Sequence, residues 1–116
     1  MKGERKGNAF YKRFWINGRM ISLLHIVLLE LGRRNRGQLQ YWMIDVVRSM
    51  GYNGKTSRLF SRMIESGLID ERWRITDEGM ELLKRTRMRF GSKIDEIIEC
   101  VFEGRYNRAL EIWKSL

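Results

Sequence analysis

Two stretches of the chain repeat one spacing of apolar residues, and that spacing fits a helix and not a strand. The first runs from Met20 to Leu31 and the second from Leu39 to Met50, each with apolar residues at i, i+3, i+4, i+7, i+8 and i+11. This is the period of an amphipathic helix with one wide buried face. Gly32 and Gly51 follow as typical stop residues. We therefore predict helices over roughly 19–31 and 39–50.

A third amphipathic segment follows after a short turn at residues 51–54. It places Leu59, Phe60, Met63 and Ile64 on one face. The opposite face carries polar and charged residues: Lys55, Ser57, Arg58, Ser61, Arg62 and Glu65. Two helices joined by a tight turn form a helix-turn-helix arrangement.

The next residues carry a more specific pattern. After the third helix the chain reads Gly67-Leu68-Ile69, then Trp73-Arg74-Ile75-Thr76, and Gly79 and Leu83 follow. Gly67 is suited to a left-handed helix end, Trp73 and Ile75 share one face of a strand by period two, and Thr76 is a good helix cap. A helix over 76–89 is predicted to follow.

This pattern resembles the core of the winged helix-turn-helix family over roughly residues 19–85. The resemblance implies a mostly α chain with a small β wing (α+β). It also implies a sequence-specific double-stranded DNA-binding protein, a transcription regulator whose third helix enters the major groove. The implied DNA contacts on that helix are Lys55, Thr56, Ser57, Arg58, Ser61 and Arg62, with Arg72 and Arg74 added from the wing. The wing is short and carries Asp70 and Glu71, which argues against deep minor-groove insertion.

Positive charge is concentrated in the first two-thirds of the chain. The 116 residues include 23 lysines and arginines against 14 aspartates and glutamates, a net charge of +9. Residues 1–74 hold 15 of these basic residues and 6 acidic ones, whereas residues 75–116 hold 8 of each. A folded basic domain favours nucleic acid as its partner, ahead of an anionic membrane.

Cations outside the third helix are predicted to attract phosphate without reading sequence. One group follows the first long helix and another lies in a basic arm at the start of the chain: Arg33, Arg34, Arg36, Lys2, Arg5 and Lys6. Behind the arm, aromatic residues recur at helical spacing and predict a short helix ending at Asn17-Gly18: Phe10, Tyr11, Phe14 and Trp15.

The last part of the chain is predicted to be a helical hairpin. Ser92 and Asp95 have capping-box spacing, and two further amphipathic stripes follow, separated by Gly104. We therefore divide the chain into a basic arm with a short helix (1–18), a winged helix-turn-helix (19–89) and a C-terminal helical hairpin (90–116). The hairpin is a candidate homodimerisation element through Ile94, Ile97, Val101, Tyr106, Leu110 and Trp113. Packing within the monomer is the alternative.

Catalytic and metal chemistry find little support. One histidine and one cysteine are too few soft ligands for a tetrahedral zinc site. Cys100 lies among apolar residues and His25 lies within the first apolar run, so both are expected in or near the core. We expect no enzyme, no cofactor and no membrane partner. A cytoplasmic location is expected because a lone cysteine forms no internal disulfide. A winged-helix protein–protein interaction adaptor and an RNA-binding protein remain alternatives.

Overall fold

In a computed structural model the protein is mostly helical with a small antiparallel sheet. The structure describes residues 13–16 and 18–116, except the side chains of Arg13, Arg19 and Thr56. In this part of the chain two strands and six helices follow one another: β1 (Arg13–Ile16), β2 (Arg19–Ser22), α1 (Leu23–Arg34), α2 (Trp42–Ser49), α3 (Thr56–Glu65), α4 (Asp77–Phe90), α5 (Ser92–Phe102) and α6 (Tyr106–Lys114). The predicted α+β class is confirmed.

The predicted short helix before Gly18 is wrong where the structure describes it, because residues 13–16 form β1. This strand pairs antiparallel with β2, and Phe14 lies opposite Ile21. Side chains alternate as in a half-buried strand: Ile16 is 5% exposed and Trp15 is 65% exposed. Phe14 packs its ring against Trp113 of α6 at a centroid distance of 5.2 Å. Residues 8–12 lie outside the described part of the chain.

The first two predicted long helices both begin later than their apolar spacing indicates. Residues 19–22 belong to β2, so α1 begins at Leu23, and it runs past Gly32 to Arg34. Helix α2 begins at Trp42 and not at Leu39. The residues before it lie along the segment after α3: Gln38 forms a bridge with Arg74, and the N–H of Leu39 donates to the carbonyl of Trp73, 2.8 Å away. Helix α3 agrees with its prediction.

The segment between α3 and α4 is a tight turn with very short strand pairing. Gly67 has the predicted left-handed conformation, with φ of 80°. Strand pairing is limited to single bridges that join Ile69 to Ile75 and Gln38 to Arg74. Trp73 has φ of 64°, so the prediction that it shares a strand face with Ile75 is wrong. Residues 70–74, hereafter the Asp70 turn, are too few to extend both strands.

Asp70 closes this turn with its own main-chain and side-chain oxygens. Its carboxylate accepts the N–H groups of Arg72 and Arg74 at 2.8 and 2.9 Å, and its carbonyl accepts the N–H of Trp73 at 2.9 Å. The carbonyl of Trp73 accepts from Leu39. The left-handed backbone of Trp73 is therefore held on both sides.

Helix α4 begins as predicted and is closely packed on the preceding segment. The Thr76 hydroxyl accepts the N–H of Gly79 at 3.1 Å, which confirms the predicted cap. Gly79 is buried, and a Cβ atom there would overlap the carbonyl oxygen of Leu68 and crowd the Ile75 side chain at 2.8 Å. The predicted Ser92–Asp95 capping box is wrong: Ser92 lies inside α5 with no side-chain cap, and Asp95 pairs with Arg87 of α4.

Helices α5 and α6 form the predicted hairpin, but its apolar faces lie within the monomer. Four of the six side chains proposed for dimerisation are at most 4% exposed: Ile94, Ile97, Val101 and Trp113. Tyr106 and Leu110 are partly buried against the same core. These side chains pack on the rest of the chain, so their assignment to a dimer interface is corrected to intramolecular packing. Homodimerisation itself stays a prediction.

Candidate nucleic-acid interface

The outward face of α3 carries the predicted contact residues. Leu59, Phe60 and Met63 are at most 5% exposed and fix the inward face of the helix. The opposite side presents exposed polar and basic side chains at Lys55, Ser57, Arg58, Ser61 and Arg62. Thr56 begins α3, and its side chain lies outside what the structure describes. The amphipathic pattern therefore brings five of the six predicted residues onto one surface.

Three cations on this face have no counter-ion among the described residues. The side chains of Lys55, Arg58 and Arg62 take part in no ion pair or hydrogen bond there. Glu65 is the acidic residue of α3, and it lies at the C-terminal end of the helix. The first two turns of α3 therefore present uncompensated positive charge to solvent.

Arg33 and Arg34 behave differently, because a buried carboxylate engages them. They lie in the last turn of α1 and not in a loop. Glu30 is fully buried and accepts two hydrogen bonds from Arg33, each 2.9 Å long. Arg34 lies 3.5 Å from the same carboxylate, and Arg87 of α4 donates to it at 2.9 Å. Glu30 thus partly neutralises Arg33 and Arg34, and their attraction of phosphate stays a prediction.

The protonation of Glu30 follows from these contacts. Burial alone raises the pKa of this carboxyl group, because the charged form loses solvation. Hydrogen bonds from Arg33 and Arg87, with their positive charges, outweigh burial and hold the pKa below the usual glutamate value. Glu30 is therefore a carboxylate in the folded protein, and its cluster ties α1 to α4.

The remaining predicted phosphate ligands differ in their exposure and in whether they form an ion pair. Arg36 is exposed in the loop after α1, and Arg72 is exposed in the Asp70 turn. Arg74 is exposed but pairs with Asp70 at 3.2 Å, and hydrogen bonds from Arg74 and Arg72 lower the pKa of Asp70. Lys2, Arg5 and Lys6 lie outside the described residues. Arg36 and Arg72 thus add to the positive surface, whereas Arg74 is partly neutralised.

Two pockets flank α3, and the sequence did not indicate either of them. One, of about 250 Å³, lies between α3 and the start of α1 and includes Arg58, Arg62 and His25. The other, of about 370 Å³, is hereafter the aromatic cleft. It is lined by Tyr41, Arg48, Lys55, Ser57, Phe60 and Trp73. Trp73, one of its walls, has a left-handed backbone that no residue pattern predicts.

The other chemically notable residues have structural surroundings. Cys100 is buried, as expected, and half-buried His25 shares a 2.8 Å hydrogen bond between its Nδ1 and the Ser22 hydroxyl. In residues 13–16 and 18–116, no group of His, Cys, Asp and Glu side chains is arranged to hold a metal ion. Among the same residues, every helix is too short or too polar to cross a bilayer. No family model, curated protein or solved structure matches the chain.

Proposed function

We propose that residues 19–89 form a winged helix-turn-helix that binds double-stranded DNA, with α3 in the major groove, and that the protein is a transcription regulator. The order of elements supports this proposal: α1, a bridge residue at Gln38, α2, α3, the Ile69–Ile75 bridge and α4 follow one another as in that family. The Asp70 turn takes the place of a wing. Gln38 pairs with Arg74 on the return side of this turn, and these single bridges lie where the family has its small sheet.

The observation that carries the proposal is the uncompensated charge on the first two turns of α3. Most other arginines with described side chains outside α3 are engaged by carboxylates, as in the Arg85–Glu81 and Arg108–Glu111 pairs. Arg58 and Arg62 have no such partner in the described part of the chain, so their charges are open to an external anion. The major groove of B-DNA is about 12 Å wide and admits one helix, whose N-terminal residues reach the base edges.

The residue roles follow from side-chain chemistry. Arg58 and Arg62, one turn apart, suit guanine O6 and N7 or backbone phosphate, and Ser57 and Ser61 serve either. Lys55 lies at the N-terminal end and acts on phosphate as a point charge. Glu65 repels phosphate, so the contact is confined to the first two turns.

Fluorescence anisotropy with duplex DNA across a salt series tests the proposal. Neutralising six phosphates makes the logarithm of the affinity fall against the logarithm of salt with a slope of roughly −5. The double variant R58Q/R62Q is expected to lose affinity on the order of a hundredfold and to make the slope less negative by about 2. The matched control R105Q/R108Q removes the same charge from exposed positions at the α5–α6 end, and its effect is expected to be small.

Three results would contradict the proposal. A salt slope near zero would remove its electrostatic basis, and equal losses in the two double variants would mean that net charge and not α3 is responsible. Tighter binding to structured RNA than to duplex DNA of the same length would favour the RNA-binding alternative. The major groove of A-form RNA is too deep and narrow for a protein helix to read, so α3 could not bind it in the proposed way.

A further inference from the structure

The aromatic cleft lies next to the N-terminal end of α3 and has walls of unusual composition. The Trp73 and Phe60 rings meet edge to face, with their centroids 4.4 Å apart. The centroid of the Tyr41 ring lies 6.4 Å from that of Trp73, at an interplanar angle of 36°. Tyr41 is 65% exposed although it borders this cluster. A flat aromatic surface is therefore open to solvent beside the proposed DNA-binding helix.

The backbone of Trp73 is strained in a way that core packing alone does not require. A bulky residue with φ of 64° is an outlier, and such conformations persist only where surrounding bonds hold them. Here the N–H of Trp73 donates to Asp70 and its carbonyl accepts from Leu39. Strain of this kind is concentrated at binding sites, where it fixes a side chain before the ligand arrives.

The charges around the aromatic cleft restrict what it can bind. Arg48 and Lys55 line it together with Ser57, and Arg48 makes a long 3.5 Å contact to the carbonyl of Gly54. Aromatic cages with no such cations suit quaternary ammonium groups, but two positive charges at the rim repel them. A ligand that is both flat and anionic fits this site, and a nucleotide combines a flat base with a phosphate.

We propose that the aromatic cleft binds the base of an unpaired nucleotide in a DNA strand, with the adjacent phosphates on Lys55 and Arg48. The inference rests on the proposed function, because Lys55 and Ser57 belong both to the cleft and to the DNA-facing side of α3. A base inside a duplex is stacked and cannot reach the cleft, whereas a base in an overhang or junction can. The protein is therefore expected to prefer duplexes that carry a single-stranded extension.

The test compares two duplexes that differ only in their overhang. One carries four unpaired thymidines, and the other carries four abasic nucleotides with the same phosphates. Stacking of a base on an aromatic side chain predicts about tenfold tighter binding to the thymidine overhang. Equal affinities for the two overhangs, with binding to a blunt duplex retained, would overturn this inference and leave the proposed function intact.

Variants connect the preference to the aromatic cleft. Y41A is expected to reduce the ratio of the two affinities to about one, and Y41F to retain it, because the ring and not the hydroxyl stacks. W42A is the matched control, since Trp42 is also exposed but does not line the cleft. Loss of the preference in W42A as well would overturn the assignment.

The remaining outcomes are also decisive. Failure to bind any of these DNAs would overturn both proposals. Binding to the thymidine overhang without binding to blunt duplex would support the aromatic cleft and contradict duplex recognition by α3.

Discussion

At the scale of single residues, Glu30 compensates much of the positive charge near the end of α1. One buried carboxylate accepts from Arg33 and Arg87 and lies near Arg34, and Arg87 also pairs with Asp95 of α5. Burying a charge is costly unless it is paired and hydrogen-bonded, and this one is both. The cluster separates arginines that hold helices together from those of α3, which face solvent.

The pH dependence of folding stability follows from the same residue. The folded-state pKa of Glu30 is depressed, so its contribution is present above the usual glutamate value of 4.5 and is lost as the pH falls through the folded value. E30Q is expected to lower the free energy of unfolding by about 2 kcal/mol near pH 7. The difference from wild type should shrink below the usual glutamate pKa.

Urea denaturation across a pH series measures this difference. E99Q removes the same charge at an exposed position of α5 and serves as the control, with an expected change within about 0.5 kcal/mol. A difference between E30Q and wild type that stays constant into the acid range would contradict this account of Glu30.

At the scale of elements, α4 approaches the residues on either side of the Asp70 turn closely, through Gly79 against Leu68 and Ile75. Gly79 has space for hydrogen only, because the Leu68 carbonyl lies where a Cβ atom would be. The Thr76 cap fixes the first turn of α4 at this point. The atoms that a Cβ would meet are the Leu68 carbonyl and the branched methyl of Ile75, and neither can move easily out of the way.

G79A tests this contact, because helix propensity and packing act in opposite directions. Alanine is favoured over glycine in a helix by about 1 kcal/mol, but forced overlap in a packed region costs about 1–3 kcal/mol. The difference is a net loss of up to about 2 kcal/mol in the free energy of unfolding, measured by urea denaturation. M80A, at the exposed neighbouring position, should change it by less than about 0.5 kcal/mol. A stabilised G79A protein would contradict the close approach.

The elements also show which parts of the fold were predictable from sequence. Strong 3.6-residue periodicity predicted α3, α5 and α6, because each has one continuous buried face. The β1–β2 hairpin was missed since Phe14 and Trp15 fit both helical and strand spacing, although Asn17-Gly18 is a strong hairpin signal. The segment before α2 and the backbone of Trp73 are joined by a hydrogen bond between Leu39 and Trp73, which are far apart in sequence, so local spacing did not predict either.

The same distinction applies to the candidate site. The exposed residues of α3 were predictable because an amphipathic helix defines its own outer face. The ion pair between Glu30 and Arg33 is local in sequence, but the ion pair between Glu30 and Arg87 requires the packing of α1 on α4. The aromatic cleft requires Tyr41, Phe60 and Trp73 to meet from three separate segments. Tertiary contacts of this kind leave no periodic signal in the sequence.

At the scale of the whole molecule, the electrically balanced C-terminal third completes the core. Trp113 of α6 is fully buried and meets Phe14 of β1 and Phe90 of α4. The hairpin therefore closes over the start of the described chain. A homodimer, if it forms, must use surfaces other than these apolar faces.

Substitution of Trp113 distinguishes packing of the hairpin within the monomer from a role of the hairpin in a dimer interface. W113A is expected to lower the free energy of unfolding by about 4 kcal/mol, because it leaves a large cavity in the core. W113F should cost much less: among the described residues the indole N–H has no hydrogen-bond partner, so phenylalanine removes an unsatisfied donor. Chemical denaturation measures both losses. If sedimentation shows that W113A stays fully folded while a dimer dissociates, the intramolecular assignment is wrong.

The bond between the loop before α2 and the Asp70 turn has a consequence for local unfolding. The N–H of Leu39 donates to the carbonyl of Trp73, and the N–H of Ile75, directly after the turn, donates to the carbonyl of Gly37. Each segment therefore holds an amide hydrogen of the other. Neither segment can open to solvent without releasing the other, and protected amides in both should exchange together as one cooperative unit. Trp73 in the wall of the aromatic cleft and the segment before α2 should then open together, at a rate that hydrogen exchange can measure directly.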